Sequence, residues 1–316
     1  MTVYTSLVSR VDAGALIPED AAREIVQGAV EGSTIMRLAR RLPNMARGQQ
    51  RVPVLSVLPT GYFVSGDTGL KQTTEVNWDN KYLYAEEIAV IVPIPKAVLD
   101  DADYDLWAEI RPRLVEEFGR VFDAAVMFGT NAPAAWPDDL LTAATAAGNA
   151  VTIGGVGADL YDDILGEGGV ISKVEDDGFM VNGHIAALSM RSKLRSLRST
   201  DGVPLFVRSM QGSNTYELDG SPIFFPRNGA MDAAQALMFS GDWSQVVYSL
   251  RQDMTYTIAT EGVISGDGGA VVINLFQQDS VALRAVMRVA WQVPNPINRI
   301  QATEANRYPV AVLKPA

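Results

Sequence analysis

The spacing of apolar positions along the chain changes several times, and each change marks an element. The most regular stretch runs from about Asp105 to Phe128, where Trp107, Ile110, Leu114, Phe118, Val121, Ala125 and Phe128 recur three and four residues apart. That spacing places them on one face of an α-helix, about 36 Å long at 1.5 Å per residue. Glu109 with Arg113, and Glu116 with Arg120, stand at i,i+4 in the favourable order, and Gly129 is a natural C-terminal stop. Pro112 removes one backbone hydrogen bond. The stripe keeps its register across the proline, which predicts one bent helix rather than two.

Before this helix the pattern is looser. Between Ala13 and Leu42, Ile25, Val26, Val30, Ile35, Met36 and Leu38 recur at roughly helical spacing, interrupted at Gly28 and Gly32, with Pro18, Glu19 and Asp20 suited to a first turn. So short a segment cannot bury its own stripe, so it reads as an arm. From Arg51 the period becomes strand-like: Val52, Val54, Leu55, Val57 and Leu58 precede a turn at Pro59 and Gly61. A polar, Gly-rich tip from Ser65 to Lys71 follows, and Val76, Trp78, Tyr82 and Tyr84 return into Ile88 to Val92. An isolated two-stranded excursion is marginal in water, so its stabilising contacts are expected on another subunit.

Beyond Gly129 the elements shorten. Residues 130–150 read as an Ala- and Pro-rich loop, Val151 to Gly155 as a strand, and Asp159 to Val174 as a helix weakened by Gly166, Gly168 and Gly169. Phe179 to Leu188 reads as a buried strand, Ser189 to Arg198 as a basic helix and Ser221 to Phe225 as a strand. Leu237 to Thr260 holds two strands broken at Ser240-Gly241-Asp242, Gly262 to Gly269 is a turn, and Val281 to Val293 is a long strand closed by Pro294-Asn295-Pro296. Strands and helices do not alternate strictly, so the class is α+β.

Composition narrows the function classes. The 316 residues are 47% hydrophobic, enough for two or three packed units. No apolar run reaches the roughly 18 residues of a membrane span, and Met1 to Arg10 lacks the apolar stretch of a secretory signal. The expectation is a soluble chain made in the cytoplasm, without membrane partners. The absence of cysteine excludes disulfides, thiolate metal sites and Cys nucleophiles. A protein that neutralises nucleic-acid phosphates is usually basic, whereas this one carries −11. If it meets DNA, it contains it rather than grips it. Between Met36 and Ser56, however, stand Arg37, Arg40, Arg41, Arg47 and Arg51 with no acid, either a solvated face or a patch facing a neighbouring subunit or DNA.

The search for chemistry returns little. The single histidine, His184, lies in an apolar strand and cannot supply a zinc site or a paired-ligand motif. Gly154-Gly155-Val156-Gly157 lies between a strand and a helix, but Leu160 fills the last glycine position of a dinucleotide fingerprint and Asp159 would repel a phosphate. A plain turn is expected. The doublets Glu86-Glu87, Asp100-Asp101, Asp162-Asp163 and Asp176-Asp177 could hold a cation, though on helices most such pairs are solvated. No Walker sequence or G-x-S-x-G elbow is present. The expectation is no catalytic residue, no cofactor and no metal.

Three stretches, in order, resemble one family. Ile88 to Gly129, with Leu99-Asp100-Asp101 before the helix and Phe128-Gly129 at its end, is the first. Phe239-Ser240-Gly241-Asp242-Trp243 with Val246 to Arg251 is the second, and Asn274 to Asp279 with Val281-Ala282-Leu283-Arg284 and Trp291 is the third. Together they resemble the tailed-bacteriophage major capsid proteins of the Hong Kong 97-type fold. The resemblance implies an N-terminal arm (1–48), an extended two-stranded loop (49–92) lying across a neighbour, a peripheral domain (93–134 and 271–316) with a spine helix over 105–128, and an axial domain (135–270). It implies an icosahedral shell of pentamers and hexamers enclosing phage double-stranded DNA without sequence-specific binding, assembled in the host bacterial cytoplasm. The resemblance suggests a portal as partner and leaves room for a decoration protein; because the chain starts only a few residues before the arm, it implies a separate scaffolding protein, or none. Arg37, Arg40, Arg41, Arg47, Arg51, Asp67, Lys71 and Trp78 are the residues expected at inter-subunit contacts. Some relatives fuse a loop lysine to a neighbour's asparagine beside a glutamate. Lys71, Asn295, Asn298, Asn306 and Glu304 are present here, but Lys71 stands among Gly69, Gln72 and Thr73, so non-covalent clamping is expected. An encapsulin-type nanocompartment shares the fold and packages enzymes instead. A soluble α+β enzyme is the alternative from another class; it would need a convergent polar site and a compact particle.

Overall fold

The computed structural model describes residues 32–64, 69–100, 106–156, 159–197, 216–266 and 268–316. The arm before Gly32, the tip Ser65 to Thr68 with Asp67, Asp101, Gly157 and the side chains of Trp107 and Glu109 lie outside them. In chain order come α1 (Thr34–Leu38), β1 (Arg40–Arg41), β2 (Gln49–Val57), β3 (Asn77–Tyr84), β4 (Glu86–Pro95), α2 (Lys96–Asp100) and α3 (Leu106–Phe128). Then follow α4 (Leu140–Ala146), β5 (Ala150–Thr152), α5 (Leu160–Leu165), α6 (Val170–Asp176), β6 (Gly183–Ala186), α7 (Met190–Ser196), β7 (Tyr216–Leu218), β8 (Ser221–Phe224) and β9 (Met238–Gly241). The last are β10 (Val247–Ala259), β11 (Val263–Ser265), β12 (Val271–Asn274), β13 (Ser280–Gln292) and β14 (Val310–Lys314).

The helix read from the stripe is α3, continuous over 23 residues with Pro112 inside it. Leu114, Phe118 and Ala125 are buried as the stripe requires, and so are Val115, Phe122, Val126 and Met127 off it. The second half of the helix is therefore enclosed nearly all round. Its described surface ion pairs stand at i,i+3: Glu116 and Arg120 do not pair with each other, and the Glu109 side chain of the other expected pair lies outside the described residues. Arg113 pairs with Glu116 (3.0 Å), and Arg120 forks onto Glu117 at 2.7 and 2.5 Å. A guanidinium reaching back three residues meets both carboxylate oxygens in one plane, the stronger arrangement. Gly129 ends the helix at φ +65°, its N–H donating to Ala125 O.

Two sheets flank this helix. One runs β1-β10-β13-β4, with β13 antiparallel to both long neighbours. Alternate residues of β13 (Val281, Leu283, Ala285, Met287, Val289 and Trp291) share a core with α3. The other, β5-β14-β9-β6-β8-β7, is buried on both faces. Ile185, Phe239, Val310 and Val312 point into the core of α3, while Ala186, Met238, Ala311 and Leu313 point into a second core under α5, α6 and α7. The period-two alternation of strands divides these residues between the two cores.

Several local expectations are corrected. The supposed loop 130–150 contains α4, nucleated by Asp139, whose carboxylate accepts from Thr142 N and Oγ1 (both 2.8 Å). The helix expected over 159–174 is two, α5 and α6, parted where Gly168 takes φ +78°. The strand expected over 179–188 shrinks to β6. The turn 262–269 contains β11, which pairs with β12. Strand membership crosses the ranges read from sequence: β10, within 135–270, is hydrogen-bonded to β13, and β14, within 271–316, lies between β5 and β9.

Candidate inter-subunit interface

The pair β2–β3 is a two-faced ribbon. Its register sets Arg51 opposite Tyr82, Pro53 opposite Asn80 and Leu55 opposite Trp78. One face therefore carries Val52, Val54, Lys81 and Leu83. Val54 and Leu83 are buried, Leu83 in a small core with Met45 and Ala290 against which Val52 packs. The near half of the hairpin thus rests on its own subunit, a correction to the expectation that its support comes from elsewhere. The opposite face carries Arg51, Pro53, Trp78, Asn80, Tyr82 and Tyr84, all exposed. Trp78 is 65% exposed, and the Tyr82 and Tyr84 rings lie 6.4 Å apart. Beyond the strands the two limbs stay together through Thr60 N–H to Thr74 Oγ1 (3.0 Å) and Tyr62 OH to Thr73 O (3.0 Å). Phe63 and Leu70 there stand fully or almost fully in solvent. The tip read as polar is edged by two large apolar side chains, which sequence reasoning passed over. Such residues spread along one ribbon face are expensive to leave wet and mark a contact surface.

The structure brings Arg51 and Trp78 onto this face and leaves Lys71 exposed near its end. It does not gather the other arginines there. Arg37 sits with its guanidinium 4.7 Å from the Phe224 ring centroid. Arg40 and Arg41 form β1, on the edge of the four-stranded sheet, and Arg47 lies in the turn before β2. All five are exposed, and among the described residues none forms an ion pair. All five belong to one acid-free stretch of the sequence, and their exposed guanidinium groups are available to an acidic surface.

The arm is anchored by a residue the sequence reading missed. Asp123, buried in α3, accepts from Ser33 Oγ (2.5 Å), Thr34 N (2.8 Å) and Ile35 N (3.2 Å), with Asn228 Nδ2 at 3.4 Å. It caps α1 from a different element, and burial pushes its carboxyl up to about 6 against those hydrogen bonds. A charged residue among Phe122, Ala124 and Ala125 was the available signal.

The rest of the candidate chemistry resolves into structure. His184 is fully buried; Nε2 donates to Leu218 O (3.1 Å) and Nδ1 accepts from Ser240 Oγ (2.8 Å), while burial pulls its pKa down to about 4. A neutral ring with both nitrogens engaged is a strut. The Gly154 turn does form an anion nest, but Asp163 fills it, accepting from Gly154 N (2.7 Å) and Val156 N (3.0 Å). Asp177 is likewise buried, accepting from Asn149 Nδ2 (2.6 Å) and Tyr308 N (2.8 Å). Two doublets read as solvated therefore each have one member inside the fold. Among the described residues no cluster of three metal-ligating side chains occurs, and no helix is long and apolar enough to cross a membrane.

Comparison with known proteins gives this geometry its context. The phage capsid family matches residues 13–302. A major capsid protein from Staphylococcus phage 80alpha is 27% identical over 273 residues, 85% of this chain and 79% of its own. A solved structure from Microbacterium phage Oxtober96 is 36% identical with a TM-score of 0.78, covering 98% of this chain and 100% of that one. One from Mycobacterium phage Adephagia is 31% identical with a TM-score of 0.75, covering 98% and 99%. The α+β architecture is the Hong Kong 97-type fold. The chain belongs to the phage capsid family and is a structural subunit of a phage shell, a major capsid protein.

Proposed function

We propose that copies of this chain close into pentamers and hexamers of an icosahedral shell around double-stranded DNA, each clamping its neighbour with the β2–β3 hairpin. The observation that carries the reading is the hairpin's two faces: one packed on its own subunit, the other an exposed row of Trp78, Tyr82, Tyr84 and Arg51. Phe63 and Leu70, beyond the strands, add exposed apolar area, and aromatic and arginine side chains are those that anchor interfaces. The stretch Arg37 to Arg47 serves subunit contacts; in a chain of net charge −11 it finds acidic partners on other copies more readily than it attracts DNA into a general coat. The shell neither catalyses a reaction nor reads a DNA sequence, is assembled in the host bacterial cytoplasm, and engages portal, scaffolding and decoration proteins. The arm and the hairpin form its contact elements. The four-stranded sheet with α3 forms the peripheral part, and the six-stranded sheet forms the part around the five-fold and six-fold axes. Subunits are held non-covalently: fusing a lysine to an asparagine calls for a buried, water-free setting, and Lys71 is exposed. Boiled particles will run as monomer in denaturing electrophoresis; a ladder lost in Lys71→Ala would reverse this point. The main test deletes residues 62–75, whose described members belong to no core. The variant will stay folded and form no shells, as read by sedimentation. Normal shells from it would refute the clamp.

A further inference from the structure

The base of the hairpin is seated on the body around Leu83; farther out it is tethered by a strap. Residues 293–307, between β13 and β14, run beside it, with an open cleft of about 130 Å³ between them lined by Val54, Asp79 and Pro294 among others. Three contacts cross from strap to ribbon. Ile297 N–H donates to Leu55 O (3.4 Å), an Arg299 guanidinium N–H donates to Pro59 O (2.7 Å), and Lys81 pairs with Glu304 (2.6 Å). On its other flank the strap is fastened to the six-stranded-sheet side, where Asn298 Nδ2 donates to Asp177 O (2.6 Å).

The shape of the strap depends on Arg307, only 3% exposed. Its Nε donates to Asn295 Oδ1 (3.2 Å), one terminal nitrogen to Gln301 O (2.7 Å) and Ala302 O (3.1 Å), and the other to Asn295 O (3.1 Å). All four acceptors are neutral oxygens. A buried cation without a directly bonded carboxylate is a costly way to fill space. A rigid planar fork, however, can hold three separate points of one loop at fixed distances, which no apolar side chain can do. Asn295, the pivot of that fork, takes φ +49°, a conformation that needs such support.

We propose that Arg307 is a positioning residue for assembly: by fixing the loop 295–302 it sets the angle at which the hairpin leaves the subunit, and so the curvature of the shell. The inference rests on the clamp reading above. The leverage is geometric. Nine residues of β2 reach about 30 Å, so a tilt of about 10° at the base moves the far end by about 5 Å, a whole strand spacing.

The test compares particles formed by the full chain, by Arg307→Lys, which keeps the charge and loses the fork, and by Lys81→Met with Glu304→Gln, which cuts the tether and leaves the loop. Both variants are expected to fold and to give particles of shifted or broadened diameter by electron microscopy, a readout that a loss of stability alone would not move. If both fold and give a single wild-type diameter, the proposal is overturned. Should Arg307→Lys fail to fold, the double variant decides, and a wild-type diameter from it overturns the proposal. The 62–75 deletion runs alongside: normal shells from it would sink the clamp reading itself, whereas no shells from it and unaltered shells from the strap variants would sink only the role of Arg307.

Discussion

Gly119 marks where the arm crosses α3 with backbone against backbone. A Cβ at this position would stand 2.7 Å from Gly32 C and 2.9 Å from both Gly32 O and Ser33 N. A normal carbon contact is about 3.5 Å or more, and these atoms cannot swing aside as a side-chain end can. Helix propensity alone favours Gly119→Ala by about 1 kcal/mol. Against it, the arm must lift away from Asp123, loosening a charge-assisted hydrogen bond of about 1.5–3 kcal/mol. Ile35 and Met36, now 0% and 4% exposed, would also lose part of their burial. Full burial of such side chains contributes about 1.5–3 kcal/mol each, so losing half of both costs about as much again. The clash outweighs propensity, and a net loss of about 2–5 kcal/mol is expected, or roughly 4–10 °C in Tm at this chain length. Urea unfolding of the unassembled subunit measures it, and limited proteolysis reports release of the arm. Ser33→Ala, which removes the cap and the bond to Asp123 without a clash, should cost about 1.5–3 kcal/mol and leave the arm seated. A Gly119→Ala subunit as stable as the parent, or more stable by the propensity difference, would refute the reasoning.

Other predictions concern buried polar groups and the basic stretch. The neutral His184, its pKa pulled to about 4, lends stability that is full above pH 6.5 and lost as pH falls towards 4, about 3 kcal/mol in all. Asp123, raised to about 6, works in the opposite sense: its protonated form suits the fold, and that contribution, present below about 3.8, is lost as pH rises through 6. The stability–pH curve of His184→Gln, from urea midpoints between pH 4 and 7, should therefore fall less on the acid side than the parent's; parallel curves would contradict the assignment. Asp163→Ala strips the acceptor from Gly154 and Val156 N–H and should cost about 2–4 kcal/mol; a loss under about 0.5 kcal/mol would mean water fills the nest equally well. Charge reversal at Arg40 and Arg41, both exposed, should leave subunit stability within about 0.5 kcal/mol and reduce the yield of empty shells. Normal empty shells with a defect confined to DNA packaging would instead turn the stretch towards DNA.

What could be read from the sequence followed the range of the interactions concerned. α3 and β13 are written in local periodicity and lie within a residue or two of where their stripes begin and end; the hairpin is written there too, but its return strand, read on into Ile88–Val92, stops at Tyr84, and β4 joins the four-stranded sheet instead. Sheet membership is not local. β14 is five residues of a short apolar run, and only its partners β9 and β5 make it a central strand. α4 lay hidden among alanines and prolines, whose punctuation outweighed the single capping aspartate. The candidate site was half legible. Trp78 and Arg51 were named, but their placement on one face depends on the β2–β3 register. Leu70 passed as part of a polar tip, and Phe63, just before it, was not singled out. Asp123 and Asp177 were illegible because a charged residue is buried only when partners satisfy it, and theirs stand 90 residues away at Ser33 and 131 at Tyr308. The partners of Asp163 and Arg307 lie within a dozen residues, but they are chiefly backbone groups whose direction depends on the loop conformation.

The account rests on the outward face of the hairpin being covered by a second copy of the chain. Electron microscopy of the purified full chain, carried to side-chain detail, tests this directly. The account predicts closed shells in which Trp78, Tyr82 and Tyr84 of each copy are buried against its neighbour. A compact 34.1 kDa particle at every concentration and salt, or shells in which those three side chains face solvent, would contradict it.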